Sequence, residues 1–146
     1  MSVERELASV EPEKSATNLV EVRIAAEPAQ LAVMRAVVGD LAMRADYDVD
    51  SIADLRLAVD EACSTLIRLA APAATLVCRF RSDDHGLSVT AEVSSDDAFG
   101  PRKDTFSWRV LSALADDVST SVESDPTANG SHLVRIELTK GRTAHG

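Results

Sequence analysis

Aromatic side chains are scarce in this chain: three phenylalanines, one tyrosine and one tryptophan make up 3% of its residues. Any core must therefore be built from Leu, Val, Ala and Ile, which the 45% hydrophobic share supplies. Cysteine is nearly absent as well. Cys63 and Cys78 belong to no Cys-x-x-Cys pair and to no metal-ligand spacing, which argues against a disulfide scaffold or a zinc module. They read as two small buried apolar side chains in a reducing compartment. No apolar run approaches the ~20 residues of a membrane span. The first residues are acidic and lack an apolar core segment, so no signal peptide is expected. Basic residues are outnumbered 15 to 24, leaving a formal net charge of −9. Phosphates repel such a surface, so direct binding to DNA or RNA is not expected. A basic protein partner suits the acidity, as does plain solubility. The three histidines, His85, His132 and His145, lie too far apart in sequence to suggest a local metal site. What remains is the expectation of a cytoplasmic chain of 146 residues, long enough for one domain and too short for two ordinary ones.

Periodicity orders the chain. Residues 1–17 are polar, charged and aperiodic and are expected to form a flexible arm. Val20, Val22 and Ile24 alternate with polar residues, which predicts a strand. Pro28 suits the first turn of a helix. Leu31, Met34, Val38 and Leu41 then follow at spacings of three and four, predicting an amphipathic helix over 29–45. A polar link over 46–50 leads to Ser51-Ile52-Ala53-Asp54, which resembles a capping box with Asp in place of Glu. The second helix should start there, carry Ile52, Leu55, Val59, Ala62, Leu66 and Ile67 as its apolar stripe, and end at Ala71-Pro72.

Residues 75–81 and 87–93 alternate around the turn-forming Ser82-Asp83-Asp84-His85-Gly86, which predicts an antiparallel hairpin. A polar loop over 94–104 holds Gly100-Pro101. A third helix is expected over 106–116, with Leu111, Leu114 and Val118 on its inner face. Strands over 118–123 and 132–138 close the chain, and 140–146 reads as a loose tail. The order β-α-α-β-β-α-β-β predicts an α+β domain over 18–139. Three helices should cover one face of a mainly antiparallel five-stranded sheet in a two-layer sandwich.

Two segments carry a resemblance. Leu55-Arg56-Leu57-Ala58-Val59-Asp60-Glu61-Ala62-Cys63 resembles the first half of the N-box helix of the GHKL ATPase and kinase superfamily. The likeness is to its anti-sigma serine kinases of the RsbW and SpoIIAB type. Leu111-Ser112-Ala113-Leu114-Ala115-Asp116-Asp117-Val118 resembles the last helix of that group, and Phe106-Ser107-Trp108 before it resembles the mycobacterial subgroup. The order of elements agrees from about Leu19 to Leu138.

The resemblance implies residue roles. Glu61 falls at the position of the general base, and the neutral hydroxyl of Thr65 stands where relatives place a Mg²⁺-binding Asn. The spacing of four puts both on one helix face. Glu61 reads equally as an ordinary solvated carboxylate. Asp96-Asp97-Ala98-Phe99-Gly100 offers Asp96 and Gly100 for the adenine-binding D-x-G-x-G motif, although its first glycine is missing. Asp96 and Gly100 also suit an ordinary polar loop. Where relatives carry a glycine-rich lid, Lys103-Asp104-Thr105-Phe106-Ser107-Trp108 has no glycine, and Phe106 and Trp108 would obstruct a phosphate cradle. Lys103 could supply part of the missing charge. Arg35 matches the family's sigma-contacting arginine and is also an ordinary surface residue.

The resemblance thus implies an anti-sigma factor that sequesters a stress or stationary-phase sigma factor and is countered by an anti-anti-sigma antagonist, its nucleotide site degraded. The alternative is an active serine kinase using ATP and Mg²⁺ on that antagonist. A homodimer is implied by the same likeness. An interaction module unrelated to transcription is the third reading.

Overall fold

The computed structural model describes residues 18–127 and 130–142. The proposed arm and the tail beyond Arg142 lie outside them. Five strands form one antiparallel sheet: β1 (Asn18–Ala25), β2 (Thr75–Asp83), β3 (Gly86–Ser95), β4 (Asp117–Ser124) and β5 (His132–Lys140), in the order β1-β2-β3-β5-β4. Three helices, α1 (Leu31–Arg44), α2 (Val49–Leu69) and α3 (Phe106–Leu114), pack on one face. The expected α+β two-layer sandwich is the one observed. Both β3 and β4 pair antiparallel with β5, so they run parallel to each other. Parallel strands cannot be joined by a hairpin. Residues 96–116, including α3, therefore cross over the sheet, and this crossover lies against α2.

The apolar spacings explain the core. Leu55, Val59, Ala62 and Leu66 of α2 are buried with Met34 and Val38 of α1, against Leu76, Cys78, Phe80, Val89, Ala91 and Ile136 of the sheet. Ile52 and Ile67 are half-buried at the margin. Cys63 and Cys78 are both buried with free thiols, their sulfurs 3.6 Å apart across the helix–sheet boundary. The hydrogen bond with Cys78 and burial push the Cys63 thiol well above its ordinary range. Cys63 therefore behaves as a small apolar side chain rather than a reactive thiolate, and Cys78 is buried beside it.

Among the described residues no helix covers the opposite sheet face, which is polar. A ladder of alternating charge crosses all five strands there: Glu21 to Arg79 at 3.0 Å, Arg79 to Glu92 at 3.3 Å, Glu92 to Arg135 at 3.1 Å and Arg135 to Glu123 at 3.2 Å. Cross-strand opposite charges of this kind stabilise a solvated sheet face.

Several boundaries differ from expectation. A 3₁₀ turn, Pro28–Gln30, precedes α1, because a proline at the first position favours a tight entry before the regular ladder begins. The cap of α2 is Asp48 rather than Ser51. The Asp48 carboxylate accepts a 2.7 Å hydrogen bond from the Ser51 N–H, and Ser51 is buried in the first turn. A carboxylate three residues upstream competes well because it also meets the positive end of the helix dipole. The segment resembling the last helix is helical only to Leu114. Asp116 donates its N–H to the Thr139 carbonyl at 2.9 Å, which begins pairing with β5, and Val118 faces the core from β4. β5 itself continues to Lys140.

Tyr47 is a core residue that periodicity did not show, since it sits in the short link between α1 and α2. Asp46 adopts φ 63°, and the Tyr47 N–H donates to the Ala42 carbonyl at 3.1 Å, closing α1 with a left-handed turn. That turn aims the ring inward. The phenol donates to the Lys140 carbonyl at 2.5 Å and accepts from the Leu87 N–H at 2.7 Å, pinning the helical hairpin to β3 and β5. Replacing Tyr47 by Phe leaves the Leu87 N–H unsatisfied and is expected to destabilise the fold by about 1–3 kcal/mol, read as a lower urea midpoint at unchanged slope. Burial raises the phenol above its ordinary 10.0. Its contribution is thus complete below pH 10.0 and is lost as pH rises through the raised value, a component the Phe variant lacks.

Candidate functional site

The crossover and α2 enclose the site. Glu61, Thr65 and Arg68 fall at i, i+4 and i+7 on α2, so they share the face turned toward α3. Thr105 caps α3: its hydroxyl accepts from the Trp108 N–H at 3.2 Å and donates to the Arg102 carbonyl at 3.1 Å. This cap fixes the first turn of α3 so that Ser107 points at α2. The Ser107 hydroxyl donates to the Glu61 carboxylate at 2.5 Å and lies 3.0 Å from the Thr65 hydroxyl. The Thr65 hydroxyl also donates to the Glu61 backbone carbonyl at 2.9 Å, and Arg68 donates to its oxygen at 3.3 Å. Glu61 is half-buried within this cluster rather than solvated on an open helix face.

Beside the cluster lies a cleft of ≈ 420 Å³, lined chiefly by Leu69, Phe99, Gly100, Pro101 and Trp108, with Thr65, Arg68 and Arg102 among its polar residues. Gly100 is needed for packing. A Cβ there would meet Val122 Cγ2 at 2.7 Å, so the loop approaches β4 as closely as backbone allows. Phe106 projects outward and is 79% exposed, whereas Trp108 turns into the cleft. Lys103 places its ammonium 5.8 Å from the centre of the Trp108 ring, within range of a cation–π attraction.

The structure thus brings Glu61 and Thr65 together directly, and sets Thr65 and Gly100 on the same cleft. Asp96 is exposed on the loop and is not among the residues lining the cleft. Arg35 lies elsewhere, on the face of α1 that meets α2. Its guanidinium donates to the Asp60 carboxylate at 2.5 Å, with the two side chains 40% and 32% exposed. Sequence reasoning saw Ser107 and Asp60 only as parts of motifs. A hydroxyl in the first turn of α3 was the signal for the first. For the second, no signal existed without the pairing of α1 on α2. Among the described residues, no group of three or more His, Cys, Asp and Glu side chains could hold a metal ion, and no helix is long and apolar enough to cross a membrane.

Known proteins resemble this chain over most of its length. Residues 24–133 match the family model described as a histidine kinase-like ATPase domain. Over 128 residues the chain is 44% identical to the anti-sigma-F factor RsbW of two Mycobacterium tuberculosis strains, covering 86% of this chain and 74% of that protein. A shorter stretch of 54 residues is 34% identical to the serine-protein kinase RsbW of Bacillus velezensis, covering 37% of this chain and 34% of that one. The span matched by the family model takes in both helices of the hairpin and the crossover that forms the cleft. The chain therefore belongs to the histidine kinase-like ATPase domain family, in its RsbW anti-sigma branch.

Proposed function

We propose that this protein is an anti-sigma factor: it sequesters an alternative sigma factor of the stress or stationary-phase class and is released by an anti-anti-sigma antagonist. The single observation that carries this is the 44% identity to a protein named anti-sigma-F factor, sustained across 86% of the chain. We place the protein in the cytoplasm, where its partners work, and expect a homodimer as in the family it belongs to.

The nucleotide site is proposed to be degraded. Magnesium with a triphosphate requires oxygen donors free to turn toward it. The residues at the matching positions fit that group poorly. The Glu61 carboxylate already receives the Ser107 hydroxyl, and the Thr65 hydroxyl is engaged with the Glu61 carbonyl and Ser107. Lys103 rests over Trp108 where a glycine-rich lid would present backbone N–H groups. Asp96 is turned to solvent. Phosphoryl transfer leans on the electrostatic stabilisation these parts supply, so their joint loss argues for sequestration without chemistry.

One observation favours the kinase reading: a carboxylate at the general-base position lies within hydrogen-bond reach of a hydroxyl. Two measurements separate the readings. Co-expression with each sigma factor of the source organism should yield one stable complex, and failure with all of them would reject the anti-sigma reading. Labelled ATP with saturating Mg²⁺ should transfer no phosphate to the antagonist's serine. Transfer that disappears in Glu61→Gln would instead establish the kinase.

A further inference from the structure

We infer that the cleft between α2 and the crossover is a docking site for an acidic, apolar-anchored segment of a partner protein. The inference does not depend on which sigma factor, if any, binds the α1 flank. Its first support is the character of the walls. Leu69, Phe99, Gly100, Pro101 and Trp108 make most of a ≈ 420 Å³ cleft apolar, a volume suited to one or two bulky side chains. Phe99 on its wall and Phe106 at the start of α3 are each 79% exposed. An exposed phenylalanine on the wall of an apolar cleft is a surface of the kind that proteins keep for a partner.

The second support is charge. This chain carries a net −9, yet beside the cleft Arg68 on its lining and Lys103 over Trp108 are cations, while the lining Arg102 is paired with Asp104. Arg68 contacts only the Thr65 hydroxyl and Lys103 only the Trp108 ring, so among the described residues neither has a carboxylate partner. The nearby Glu61 carboxylate is turned away into its bond with Ser107. Two uncompensated cations beside an apolar hollow, in an otherwise acidic molecule, complement a ligand with carboxylates flanking an aromatic or aliphatic anchor. The third support is that the polar groups at one end of the cleft, Thr65 and Ser107, are already engaged. Glu61, Ser107 and Thr65 satisfy one another, which leaves the apolar part open without a place for a metal-bound triphosphate. A protein segment needs no such place.

Trp108 is the only tryptophan and lines the cleft, so its emission reports occupancy. The full chain is titrated with the acetylated, amidated hexapeptide Glu-Asp-Phe-Leu-Asp-Glu, with Lys-Lys-Phe-Leu-Lys-Lys, and with ATP plus Mg²⁺. The acidic peptide should give a saturable blue shift, with the basic peptide at least about tenfold weaker. Phe99→Ser and Arg68→Glu, both at exposed positions, should each weaken the acidic peptide about tenfold without moving the melting temperature. The inference is overturned by no saturable shift up to about 1 mM peptide, the weak limit of specific recognition. Equal response to both peptides, or tighter saturation by ATP with Mg²⁺, overturns it as well. Sigma-factor co-purification is run on the same variants. Peptide binding lost with the sigma complex intact would be the expected separation of the two surfaces, and failure of one assay does not decide the other.

Discussion

Charge reversal at Arg35 (Arg35→Glu) is expected to abolish the sigma-factor complex while leaving the fold in place. Arg35 is held by Asp60 at 2.5 Å, but both side chains remain about a third exposed or more. The guanidinium can therefore accept a partner's carboxylate without crossing a buried barrier, exchanging one ion pair for another. Exposed ion pairs contribute only about 0–1 kcal/mol to folding, so losing this one is tolerated, and glutamate is as good a helix former as arginine. Binding is different, because the interface desolvates the pair. Removing one member of a buried charge pair costs about 2–5 kcal/mol, which corresponds to roughly a thirty-fold to several-thousand-fold loss of affinity. Reversal adds repulsion between Glu at 35 and Asp60. Calorimetric titration with the sigma factor, alongside thermal melting, checks this. Asp60→Asn supplies the converse: it releases Arg35 and should keep or tighten the complex. Full affinity in Arg35→Glu with an unchanged melting curve would put the interface elsewhere.

The largest stability effect is expected at Gly86. Its φ of +138° belongs to a backbone region that side chains rarely enter, and a Cβ would lie 2.6 Å from the Lys140 carbonyl oxygen, 2.8 Å from Gly141 Cα and 2.8 Å from the Tyr47 hydroxyl. Two of those neighbours are backbone and cannot swing aside. The third is the phenol that pins the helical hairpin. Conformational strain of about 1–3 kcal/mol and overpacking of a similar size should add, since they arise from different atoms. Gly86→Ala is therefore predicted to lose roughly 2–5 kcal/mol and lower the melting temperature by about 10 °C. The Tyr47→Phe background tests the mechanism. With the hydroxyl gone, part of the clash disappears, and the two substitutions together should cost less than their sum.

The branch of the family was legible because its signature is local. Leu55–Cys63 lies on one continuous helix, so its periodicity and its likeness to relatives appear in the same nine letters. Element order, the α2 stripe and the β2–β3 hairpin were legible for the same reason: each is set by neighbours a few residues apart. The cap of α2 was misplaced because Ser51 and Asp48 both suit the role, and only the path of the chain after α1 decides which oxygen reaches the free N–H groups. The end of α3 was overrun because Ala115 and Asp116 would continue a helix well enough. Pairing with β5 offers their backbone a better partner, and that partner is 23 residues further along.

The candidate site divides in the same way. Glu61 and Thr65 could be assigned to one face from helix geometry alone. That both are engaged by the Ser107 hydroxyl, 46 and 42 residues away, could not be read, nor could the pairing of Arg35 with Asp60. By itself, the sequence determined the class, the family and the order of elements, because periodicity and caps act over one or two turns. Only the tertiary structure decided which polar groups satisfy each other and which are left to meet a partner. Hydrogen bonds and ion pairs act over about 3 Å, and distances of that size between distant residues are set by packing, not by spacing along the chain.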